Sequence, residues 1–113
     1  MFKLAPDSDG TWTESTLYDF TGKDGSYPRA GLILDAIGNL YGTTLGGAAG
    51  YGVVFKLTPH PDGKWTESVL HTFTGYGARP EGGVIMDAAG NLYGTTNSGN
   101  PKYDYGLVFE ITP

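Results

Sequence analysis

Seven residues in the glycine-rich connections carry side chains suited to holding a ligand: Tyr27, Arg29, Tyr51, Arg79, Tyr103, Asp104 and Tyr105. Tyrosine rings stack on the C–H faces of sugars, and phenol, guanidinium and carboxylate groups hydrogen-bond to hydroxyls. With Tyr76 and Asn100 beside them, they make carbohydrate recognition a candidate chemistry. The competing explanation is mechanical: a long glycine-rich loop needs an aromatic to pin it down.

Catalytic and metal chemistry find less support. Glu14 and Glu67 would work as an acid–base pair only across a cleft, and both fall mid-strand at an outer edge, where a carboxylate is normally solvated surface. Asp7-Ser8-Asp9-Gly10 begins like a calcium loop but lacks the downstream acidic ligand, and its second copy reads His60-Pro61-Asp62-Gly63; a hairpin turn explains both. His60 and His71 have no counterpart of their own type, and a metal needs three converging ligands. Ser15 and Ser68 lack a nucleophile elbow. The expectation is a protein with no catalytic residues, no metal and no cofactor.

Composition narrows the classes further. The formal net charge is −5, which argues against a nucleic-acid partner. There is no cysteine, so neither disulfides nor thiolate metal sites arise. No apolar run approaches the roughly 20 residues of a membrane span, and Phe2–Leu4 is too short an apolar stretch for a signal peptide. Nineteen glycines and seven prolines predict many short strands joined by turns, without helices.

The elements that must position the candidate residues come from a duplication. GLILDAIGNLYGTT (Gly31–Thr44) returns as GVIMDAAGNLYGTT (Gly83–Thr96), identical at eleven of fourteen positions. Phe2–Gly22 matches Phe55–Gly75 at fourteen of twenty-one, and GVVFKLTP (Gly52–Pro59) returns as GLVFEITP (Gly106–Pro113). The repeat is about 53 residues long. Residues 1–54 form the first repeat and 55–113 the second with a closing strand. Each repeat reads as four strands: A (Leu32–Asp35, Val84–Asp87), apolar on both faces as if buried between neighbours; B (Asn39–Thr44, Asn91–Thr96); C (Gly52–Thr58, Gly106–Thr112); and D (Trp12–Phe20, Trp65–Phe73), mixed in polarity like an outer edge. Asp35 and Asp87 are placed to accept from turn amides, and Gly38 and Gly90 to supply positive φ. The expected fold is all-β, two four-stranded β-propeller blades per chain.

The string LILDAIGNLYGTT, then a Gly-rich loop, then GVVFKLTP and WTE, resembles the bacterial Gloeo/Verruco (GloVer) tandem repeat, over essentially the whole chain. The resemblance implies extracellular or cell-surface propellers of many blades, with no established enzymatic activity.

Two blades leave an apolar flank at each end, so a cyclic homo-oligomer is expected, a trimer with six blades in preference to a tetramer with eight. Strand C occurs once too often; Gly106–Thr112 would complete a blade with Trp12–Phe20 of the next chain, and Met1–Leu4 would be a displaced duplicate, frayed or tucked at the edge. The expected role is a non-enzymatic structural or interaction scaffold whose partner is itself. The alternative is a lectin-like propeller using the variable B–C and D–A loops to bind a glycan. A glycan-active enzyme is the weakest reading.

Overall fold

The computed structural model describes residues 1–47, 50–75, 78–99, 102 and 105–113. Among these there are nine strands and no helix: β1 (Phe2–Pro6), β2 (Trp12–Thr16), β3 (Ile33–Leu34), β4 (Leu40–Thr44), β5 (Val53–Pro59), β6 (Trp65–Thr72), β7 (Val84–Met86), β8 (Leu92–Thr96) and β9 (Leu107–Ile111). They form three antiparallel sheets, β1-β2, β3-β4-β5-β6 and β7-β8-β9. The expected pair of four-stranded sheets is thus one of four strands, one of three and one of two. Strand counting explains the difference: C-type strands occur three times (β1, β5, β9) and every other type twice.

The middle sheet is packed on both faces. Val53, Phe55 and Leu57 of β5 pack against Met1, Tyr18 and Phe20 from the two-stranded side. On the opposite face, Val54 and Tyr41 cluster with Val84, Leu92, Phe109 and Ile111 of the three-stranded sheet. That is why Val53, Val54 and Phe55 of β5 are apolar at successive positions. Three sheets in a row give a molecule 56 Å long and about 31 × 25 Å across.

One strand expectation needs correction, and of the two places expected for Met1–Leu4 only the tucked one stands. Strand A is not covered on both faces: β3 and β7 are edge strands, with Ile33 and Val84 packed inward while Leu34 and Ile85 are exposed. Met1–Leu4 is not frayed: β1 pairs with β2 along its whole length, from Phe2 opposite Thr16 to Pro6 opposite Trp12. The Met1 amine extends the ladder by donating to the Tyr18 carbonyl at 3.1 Å, and Leu17 N donates to Met1 O at 2.9 Å.

The A–B turns are built alike. Asp35 accepts from the amides of Ile37 and Asn39, from Asn39 Nδ2 and from the Tyr41 hydroxyl, at 2.8–3.1 Å. Asp87 repeats this with Ala89, Asn91 and Tyr93 at 2.8–3.0 Å. Partial desolvation pushes the Asp35 carboxyl up, but the Asn39, Tyr41 and Ile37 donors outweigh it and hold the pKa at about 2. One acceptor thereby fixes both the turn and the start of strand B.

Candidate interaction site

The repeat permits a residue-by-residue comparison of covered and uncovered sheet faces. Val54 in β5 is 0% exposed, while its counterpart Val108 in β9 is 76% exposed. Phe55 and Leu57 are 0% exposed, while their counterparts Phe2 and Leu4 in β1 are 63% and 50% exposed. Each pair shares its strand type and facing; what differs is the presence of a neighbouring sheet. Ile85 and Val108, with Gly83, Tyr93, Gly94 and Thr95, line a shallow apolar concavity of about 280 Å³ on the outer face of the last sheet. At the other end of the row, Phe2, Leu4 and Trp12 present an exposed apolar face.

The internal junction shows what covers such a face. Phe73 meets Phe109 edge to face with centroids 5.2 Å apart, and Phe20 meets Phe55 likewise at 5.0 Å. Thr43 Oγ1 donates to Gly82 O at 2.8 Å across the junction and is buried; its counterpart Thr95 is exposed. In the middle and last sheets alike, a strand-C phenylalanine ring lies over a strand-B glycine. A Cβ on Gly42 would stand 2.7 Å from Phe55 Cζ, and one on Gly94 2.5 Å from Phe109 Cζ.

The sequence-predicted rim residues divide. Tyr51 and Arg79 come together, lining a concavity of about 280 Å³ with Gly75, Ala78, Asn97 and Ser98. Tyr27, Arg29 and Tyr105 are exposed elsewhere on the surface and do not line it, and Tyr103 and Asp104, like Tyr76 and Asn100, lie outside the described residues. Tyr27 and Arg79 occupy equivalent positions, each directly before a proline, and both have positive φ (56° and 60°). That conformation is costly for a non-glycine residue. It is held by backbone bonds: Leu45 N to Tyr27 O at 3.2 Å, Arg79 N to Tyr51 O at 3.0 Å and Asn97 N to Arg79 O at 3.0 Å. Asn97 and Ser98 are not legible as site residues from the repeat, because they differ in type from their counterparts Leu45 and Gly46.

A carboxylate expected on the solvated surface is partly enclosed. Glu67 lies on the face of the middle sheet that meets the two-stranded sheet, opposite Leu57, and no group among the described residues hydrogen-bonds to its buried Oε1. Burial and then the nearby Asp24 charge raise its pKa to about 6. The Tyr18 hydroxyl donates to Asp24; that bond, then burial, then the Asp24 and Glu67 charges push the phenol up to about 12. The counterpart of Glu67, Glu14 in β2, is exposed.

No curated protein matches the chain, and no solved structure does either. The family model of the Gloeobacter/Verrucomicrobia repeat matches residues 1–113. With GNLYGTT, GxVFKLTP-type strands and the sheet-to-sheet junction recurring at that period, the chain belongs to the Gloeobacter/Verrucomicrobia repeat family.

Proposed function

We propose that the chain is a non-enzymatic β-propeller repeat module that self-assembles head to tail into a closed ring and serves as a structural or interaction scaffold. The observation that carries this reading is the contrast between Val54 and Val108, fully buried in one sheet and 76% exposed in the next. Burying a valine, leucine or phenylalanine side chain contributes about 1.5–3 kcal/mol, so the two end faces supply a driving force for association. The faces are different surfaces of one chain, and a heterologous contact of that kind closes into a ring when its rotation permits. The internal junction between the middle and last sheets, where Phe73 meets Phe109, is the pattern such a contact would repeat. Sedimentation equilibrium tests the proposal: a single species at three or four times 12.0 kDa is expected, with the trimer of six blades preferred.

A second reading, a lectin-like rim, is favoured by Arg79, which is exposed at a strained backbone position and lines one concavity with Tyr51 and Asn97. A ring would repeat such a site and turn weak binding into avidity. A glycan array tests it: binding lost in the Tyr51→Ala/Arg79→Ala variant, with the oligomer unchanged, is the expected outcome, and a blank array for the parent chain removes the reading.

A further inference from the structure

We infer that the open edge of β9 is an interface for β2 of a second copy, and that β1 is an intramolecular stand-in which this β9 displaces. The inference rests on the ring reading and specifies its joint.

Strand registers carry the case. In the complete sheet, β5 pairs with β6 as Phe55 opposite Val69, Lys56 opposite Ser68, Leu57 opposite Glu67, Thr58 opposite Thr66 and Pro59 opposite Trp65. In the two-stranded sheet, β1 pairs with β2 as Phe2 opposite Thr16, Lys3 opposite Ser15, Leu4 opposite Glu14, Ala5 opposite Thr13 and Pro6 opposite Trp12. Shifted by the repeat length, these five pairs are the same five pairs. The hairpin β1-β2 is therefore the C–D half of a blade, with the A and B strands missing. The last sheet is the complementary part: β7, β8 and β9 are A, B and C, with D missing.

Two C-type strands thus fit one place beside β2. Met1, packed against the Val53, Phe55 and Leu57 cluster, sits where Val108 of an incoming β9 would sit. Replacing β1 by β9 exchanges one cross-strand ladder for another of the same register, so backbone hydrogen bonding is conserved. The gain is on the faces: β9 brings a whole three-stranded sheet, whose exposed Ile85 and Val108 are then buried against the middle sheet of the second copy, beside Tyr18 and Phe20 and in the place that Met1 holds in the single chain. An incoming partner must first open β1, so β1 occupies the edge of β2 in the unassembled chain and sets the rate of assembly. The pairing also places Glu110 opposite Ser15 of the second copy and Ile111 opposite Glu14.

The absence of cysteine makes the test clean. Ser15→Cys/Glu110→Cys, oxidised, should give covalent multimers that run as single chains after reduction. Lys3→Cys/Ser15→Cys, oxidised, should lock β1 in place and move the assembly midpoint by about tenfold or more to higher concentration, as expected when a competing state is stabilised, with the reduced form behaving like the parent. Removal of residues 1–6 should accelerate assembly. If the locked chain assembles like the parent and the S15C/E110C variant gives no intermolecular cross-link, the strand exchange is wrong while the ring stands. If the parent and the chain lacking residues 1–6 are both monomeric at every concentration, the ring fails and the exchange with it.

Discussion

Phe73 leaves the middle sheet and meets Phe109 of the last sheet edge to face, at 5.2 Å and 68° between ring planes, while Phe20 meets Phe55 at 5.0 Å and 70°. Two junctions, one between the first and middle sheets and one between the middle and last, therefore share one aromatic lock. Phe73 is also a buried member of the core cluster. Phe73→Ala should destabilise the chain by about 3–5 kcal/mol, as expected for a buried phenylalanine. Urea denaturation followed by tryptophan fluorescence measures it, and a loss below about 1 kcal/mol, the scale of an ordinary surface substitution, would show that the junction does not depend on this ring.

Strand-B glycines are the floor beneath that lock. Gly94→Ala would force a Cβ to 2.5 Å from Phe109 Cζ, and overpacking of this kind costs about 1–3 kcal/mol. Gly42→Ala should do the same against Phe55. Thermal melts should show losses of several degrees for both variants; unchanged melting would mean the rings can swing aside freely.

Acid should unfold the hairpin turns first. The Asp35 pKa is held at about 2 and that of Asp87 is also lowered, in each case by turn donors. A depressed carboxylate contributes stability above its unfolded value near 3.8, and that contribution is lost as pH falls through the folded value. Stability should therefore drop between about pH 4 and pH 2, and the drop should flatten in Asp35→Asn/Asp87→Asn, which is weaker at neutral pH. An equally steep acid loss in the double variant would place the titrating groups elsewhere.

Glu67 carries the opposite sign. Its pKa is raised to about 6 by burial and by Asp24, so its contribution is fully present below about 4.5 and is lost as pH rises through about 6. Glu67→Gln should remove that dependence and make the chain more stable than the parent at pH 8. A variant no more stable at pH 8 than at pH 5, relative to the parent, would show that the carboxylate is solvated after all.

The fold is legible where the chain repeats itself. GNLYGTT and its Asp–Asn turn are so constrained that both copies fold alike, down to the donors on Asp35 and Asp87. Strand C is legible because Val53, Phe55 and Leu57 alternate onto one face and the segment recurs as Leu107 to Ile111; that strand A has one open face is not, since Leu32 to Leu34 are apolar at successive positions and yet Leu34 is exposed. The pairing of β1 is not, because FKLAP reads as a duplicate strand and only the register with Thr13 to Thr16 reveals its place. The environment of Glu67 is hidden for a related reason: Glu14 and Glu67 are the same letter in the same WTES motif, and only the sheet stacked on the second encloses it. The concavity of Tyr51 and Arg79 is half visible, since the aromatic and the cation stand out in the loops, whereas Asn97 and Ser98 reach it through β8.

The exposure of Val108 beside the burial of Val54 is read most directly by native mass spectrometry across a concentration series. Ring closure predicts one dominant species at three or four times 12.0 kDa, persisting on dilution. A folded species of 12.0 kDa at every concentration, both for the parent and for the chain lacking residues 1–6, would contradict it.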